Sequence, residues 1–179
     1  HPAITVIYRQ WNPRDHEYHH IISAGEWVAA HAPFGQGGIV VQCLNEPQGY
    51  GDVSQLVRWS VEVMQLAASA GMTLCLPNFA VGHPDGNLVA NGAFDPLWRA
   101  FQRFPQHIYG CHEYAVYSTQ DERPYRIGRF LDSFHRMDAL GLKRPRVIAT
   151  EAGRDVGGGA NDGWRGAGWS EQQYVSFLS

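Results

Sequence analysis

Five short apolar runs, separated by four stretches of helical periodicity, constrain this 179-residue chain more than any other feature. The runs Ala3–Tyr8, Ile39–Leu44, Thr73–Leu76, Ile108–Cys111 and Arg146–Thr150 are largely apolar and show little in-out alternation. That is the mark of strands buried on both faces, as in parallel sheets. Helices are expected from about Asp15 to Ala32, from a cap at Asp52 or Ser54 to Gly71, from Phe94 to Phe104, and from about Tyr125 to Leu140. Leu56, Val57, Val61, Met64 and Ala68 recur at helical spacing, and Gly71 and Gly141 stand where helices close. Pro33 and Gly35 stop the first helix, and Ser170 caps a last one. Strict alternation of this kind implies a parallel sheet with right-handed crossovers. The expected fold is therefore α/β: a (β/α)8 TIM barrel of which about five βα units are present, in one domain spanning 1–179. A whole barrel typically takes about 250 residues. A missing segment or another chain is thus expected to complete it, because five parallel strands leave two open edges.

Composition narrows the partners. Hydrophobic residues make up 44% and charged residues 17%, enough for a real core. The net charge of −3, with no Lys/Arg cluster, argues against a nucleic-acid partner. No apolar run approaches a membrane span, so no membrane partner is expected. Cys43, Cys75 and Cys111 lie within strand-like runs, without the C-x2-C spacing of a metal site, and are read as small buried side chains. Neither a P-loop nor a G-x-S-x-G nucleophile elbow is present.

The chemistry concentrates in Leu44-Asn45-Glu46-Pro47 and Ala149-Thr150-Glu151-Ala152-Gly153. Each glutamate follows a strand run, and in a β/α barrel successive strand ends converge on one face. Two carboxylates so placed are the equipment of a retaining glycosidase. A competing motif, His16-Glu17-Tyr18-His19-His20, matches H-E-x-x-H, and Glu26 offers a third ligand at helical distance. It would make the chain a zinc metallopeptidase. The match falls at the polar start of a helix inside a βα alternation, where a zincin fold has no place, so no metal and no cofactor are expected.

Together, the strand ends Asn45-Glu46-Pro47, His112-Glu113-Tyr114 and Thr150-Glu151 resemble those of clan A glycoside hydrolases. These are (β/α)8 retaining enzymes that include the cellulase-like family 5. In that clan an Asn-Glu pair closes strand four and the nucleophilic Glu closes strand seven, three βα units apart, as here. The resemblance covers strands three to seven and implies a β-linked oligo- or polysaccharide substrate, no cofactor and an extracellular setting. It implies that Glu46 is the general acid and then the base, with its pKa raised by its surroundings. Glu151 would be the nucleophile, held in place by Tyr114, and Asn45 would hydrogen-bond the sugar 2-hydroxyl. His112 would line the site, and Arg9 would stand in part for an arginine that other members supply from strand two. Asn78 is a candidate sugar contact, and Trp11, Trp164 and Trp169 are candidate stacking platforms. A carbohydrate-binding or structural protein on a degenerate barrel is the alternative outside the enzyme class.

Overall fold

The computed structural model describes residues 5–10, 12–47, 53–115, 127–154 and 170–173. Five strands, β1 (Ile7–Tyr8), β2 (Val40–Gln42), β3 (Thr73–Phe79), β4 (Ile108–Ala115) and β5 (Val147–Arg154), form one sheet in that order. Every neighbouring pair is parallel. Because the order never reverses, each crossover steps the same way, and right-handed crossovers then put all the helices on one face. A singly wound sheet of this kind is barrel wall; a doubly wound sheet would show a switch point.

The sheet is also curled. Arg9, directly after β1, reaches Glu151 of β5 at 2.8 Å. In a flat sheet those strands would stand about 19 Å apart, at about 4.8 Å per neighbour, farther than the two side chains together can span. The expected α/β barrel segment is thus the fold observed.

The helices are α1 (Tyr18–Ile21), α2 (Ala24–His31), α3 (Val53–Ser69), α4 (Gly86–Ala90), α5 (Asp95–Arg103) and α6 (Phe130–Ala139). The expected continuous helix from Asp15 to Ala32 is broken. A 3-10 turn at Asp15–Glu17 leads into α1, and Ile22 is extended, with φ −141° and ψ 140°. The reason is a capping box. The Glu26 backbone N–H donates to Ser23 Oγ at 3.2 Å, and the Ser23 N–H donates to Glu26 Oε2 at 3.0 Å, which starts a new helix at Ala24. The long loop expected from Pro77 to Gly92 is likewise interrupted by α4, whose first N–H groups are capped by the Asp85 carboxylate. Residues 170–173 carry the expected cap, with Gln173 N–H donating to Ser170 Oγ at 3.2 Å.

The core lies between sheet and helices. Leu56, Val63 and Met64 of α3, Leu74 and Leu76 of β3, Leu97 of α5 and Tyr109 of β4 have no exposed surface. Burial of such side chains contributes roughly 1.5–3 kcal/mol each. His107 ties the layers together: its Nδ1 accepts from Leu74 N–H at 3.0 Å and its Nε2 donates to the Met64 carbonyl at 2.9 Å. Only the neutral ring can do both. Cys43, Cys75 and Cys111 are free and buried. At the outer edge Val147 of β5 is 39% exposed. Among the described residues no helix is long and apolar enough to cross a membrane.

Candidate active site

Glu46 stands just past β2, on backbone that turns twice through the left-handed region, at Leu44 (φ 68°) and at Glu46 itself (φ 49°). A leucine there is a steric outlier, and such backbone costs on the order of 1–3 kcal/mol unless its surroundings hold it. Here they do: Glu46 N–H donates to the Asn78 carbonyl at 2.9 Å.

Glu151 lies within β5, beyond an irregularity in the ladder. Cys111 pairs with Ala149 and His112 with Glu151, so Thr150 is an extra residue without a partner. In an unbroken ladder Thr150 would sit opposite His112, and Glu151 would face the other side of the sheet. The bulge turns the carboxylate inward.

His112 joins the two carboxylates. Its Nδ1 lies 2.9 Å from Glu46 Oε1 and 3.6 Å from Glu151 Oε2. Since a carboxylate only accepts, Nδ1 carries the hydrogen; Nε2 is buried without a hydrogen-bond partner among the described residues. Tyr114 hydroxyl donates to Glu46 Oε1 at 3.0 Å, and Arg9 Nη1 donates to Glu151 Oε1 at 2.8 Å. One carboxylate oxygen of Glu46, one ring nitrogen of His112 and one carboxylate oxygen of Glu151 all lie within 4.8 Å of one another. The His112 side chain is wholly buried, whereas those of Glu46 and Glu151 are 29% and 39% exposed. The carboxylates are thus the part of the cluster that a ligand meets.

Three expectations change. The Glu46 carboxyl is held below the ordinary glutamate range, not above it: the His112 hydrogen bond is the largest cause, Tyr114 adds to it, and burial opposes both. Tyr114 holds Glu46 and not Glu151. Asn78 is fully buried, its amide spent on the carbonyls of Cys43, Leu44 and Cys75, so it is no sugar contact. Arg9 and His112 do stand at the carboxylates, and Asn45 lies half-buried beside Glu46, accepting from Gln42 Nε2 at 3.3 Å. Trp11, Trp164 and Trp169 lie outside the described residues. Glu113, between His112 and Tyr114 in β4, accepts from Gly128 N–H at 2.5 Å.

The zinc motif does not assemble. His16 and Glu17 sit in the 3-10 turn, where Glu17 pairs with Arg14 at 2.8 Å and with His16 at 3.5 Å. His20 Nδ1 meets Gln55 Oε1 at 3.1 Å, and Glu26 is occupied by its capping box. Among the described residues, the cluster with metal-ligand proximity is Glu46, His112 and Glu151; His112 and Tyr114 engage Glu46 Oε1, and Arg9 engages Glu151 Oε1.

Two features escaped the sequence reading. Asp15, almost wholly buried, lies 3.7 Å from Arg9 Nη2. Burial pushes its carboxyl upward and Arg9 opposes this. A cleft of about 300 Å³ begins at Pro47, next to Glu46, and is walled by Phe79, His83, Asp85, Phe94 and Arg129. An aspartate at a helix start and a Pro/Gly-rich loop give no pattern that distinguishes them from solvated positions.

No protein-family model and no curated protein matches the chain. Among solved structures, the catalytic domain of a mannanase from Streptomyces sp. SirexAA-E aligns with a TM-score of 0.44 and 18% identity, covering 78% of this chain and 41% of that one. A β-mannanase from Streptomyces thermolilacinus, in a structure with mannohexaose, aligns with a TM-score of 0.46 and 16% identity, covering 78% and 43%. The chain spans less than half the length of either.

Proposed function

We propose that this chain carries the catalytic pair of a retaining glycoside hydrolase acting on a β-linked oligo- or polysaccharide. The observation that supports it is the spacing: Glu46 and Glu151, at one end of the sheet and both partly exposed, present carboxylate oxygens within 4.8 Å of each other. Retaining pairs stand about 5–5.5 Å apart, whereas inverting pairs need about 6.5–9.5 Å to admit a water.

In this reading Glu151, aimed by Arg9, attacks the anomeric carbon as the glycosidic C–O bond breaks. Glu46 gives its proton to the leaving oxygen. Water then adds to the same carbon, loses a proton to Glu46 and releases Glu151. The cleft that starts at Pro47 offers room for the leaving sugar on the Glu46 side. The His112 and Tyr114 hydrogen bonds favour the carboxylate form of Glu46, which suits the second, base-catalysed step. They also lower the pH at which Glu46 carries the proton that the first step needs, so activity is expected to favour acid pH.

The test is release of reducing sugar from a panel of β-1,4-linked glucan, mannan and xylan. Glu46→Gln is expected to lower kcat about 10²–10⁴-fold, and Glu151→Gln to abolish turnover. Two variants as active as the wild type would contradict the proposal.

A further inference from the structure

Asn78 has no exposed surface and sits in the left-handed region, at φ 56°. Its Nδ2 donates to the carbonyls of Cys75 (2.9 Å), Cys43 (3.2 Å) and Leu44 (3.2 Å). Its Oδ1 accepts from Thr150 Oγ1 at 3.1 Å and from Cys75 Sγ at 3.5 Å, and its own carbonyl receives Glu46 N–H. Gly110 of β4 lies against it, where a Cβ would come within 2.0 Å of Oδ1. One side chain therefore touches the end of β2, β3 itself, β4 and β5.

The ladder adds a second observation. Pro77 pairs with Gly110 and Phe79 with Cys111, so Asn78 is the extra residue of β3, just as Thr150 is the extra residue of β5. The two bulge residues flank β4 and are hydrogen-bonded to each other. Each sits one step from the candidate catalytic pair: Asn78 carries the Glu46 N–H, and Thr150 immediately precedes Glu151.

We infer that the partly buried Asn78–Thr150 bond is a positioning device that fixes the separation of Glu46 and Glu151. It holds Thr150 out of the β5 ladder, and that keeps Glu151 on the His112 face. A regular register places Thr150 opposite His112, with Glu151 on the other side, and forgoes the bulge that the bond stabilises. On the Glu46 side the same amide anchors the carbonyls of Cys43 and Leu44, shortly before Glu46. As a statement about turnover this rests on the glycosidase reading; as a statement about geometry it does not.

Thr150→Val removes the hydroxyl and keeps the branched shape, and Thr150→Ser keeps the hydroxyl. Thr150→Val is expected to lower kcat about 100-fold, the order of loss that an ångström of misplacement brings, with KM little changed. Thr150→Ser is expected to retain wild-type kcat. Crystal structures of the two variants give a readout that needs no substrate. The His112 Nδ1–Glu151 Oε2 separation, 3.6 Å here, is expected to open beyond contact in Thr150→Val and to persist in Thr150→Ser. An unchanged separation in Thr150→Val, or a serine variant as displaced as the valine one, overturns the inference. If the wild type hydrolyses no glycan on the panel, the glycosidase reading fails while the crystal structures still decide the positioning claim.

Discussion

Replacing Gly110 by alanine would place a methyl carbon 2.0 Å from Asn78 Oδ1, 2.7 Å from its Cγ and 2.8 Å from Cys75 Sγ. Gly110 is not among the residues with positive φ, so alanine fits its backbone and the effect is steric. The obvious relief, swinging the Asn78 amide aside, is blocked by its bonds to three carbonyls. Overpacking a tight interior costs about 1–3 kcal/mol, and surrendering two of the amide bonds adds about 1 kcal/mol each. The reduced chain freedom of alanine offsets about 0.5–1 kcal/mol of this. A net loss of about 2–4 kcal/mol lowers the Tm of a chain this size by roughly 5–15 °C, read by circular dichroism on heating. Gly25→Ala is the control, because a Cβ at this position in α2 meets nothing within 4 Å. It should hold or raise Tm. A Gly110→Ala variant that melts within about 2 °C of wild type would refute the claim that the Asn78 interior is rigid.

The Glu46 carboxyl is held low chiefly by His112, so the alkaline limb of kcat/KM should move to higher pH in His112→Phe; an unmoved limb would show that His112 does not set it. The depressed pKa of Glu46 also means that its contribution to stability is present above its unfolded pKa and is lost as pH falls through the folded one. His107 gives a second pH effect on stability. Burial lowers its pKa, so the unfolded chain binds a proton there first, and stability falls as pH drops below about 6.5. His107→Gln should flatten that fall while lowering stability at neutral pH by about 2 kcal/mol; melts at neutral and mildly acid pH would show an unchanged slope if the argument is wrong.

The order of elements was legible because buried parallel strands and amphipathic helices carry different periods, and five strand runs alternate with four helical ones. The C-terminal halves of the strands were not. Reading stopped at Leu76, Cys111 and Thr150, whereas β3, β4 and β5 run on to Phe79, Ala115 and Arg154. In a curled sheet the interior at that end holds the candidate site, so polar residues such as Asn78, His112 and Glu151 lie in the strands beyond the apolar runs. The bulges at Asn78 and Thr150 also change which residues share a face, and no side-chain period records that. Glu46 and Glu151 were identifiable as strand-end carboxylates, but the curl alone decides that Tyr114 falls on Glu46. The sign of the Glu46 shift likewise depends on a donor from another strand. The break before α2 was different: Ser23-x-x-Glu26 is a capping-box signature, and the signal was in the sequence.

The central claim, that Glu46 and Glu151 act as a retaining pair, is tested most directly by the anomeric configuration of the sugar first released. Proton NMR on a β-linked oligosaccharide during the first turnovers resolves the two anomers before they equilibrate. The account predicts the β-anomer first. The α-anomer first, or hydrolysis that survives in Glu151→Gln, would contradict it.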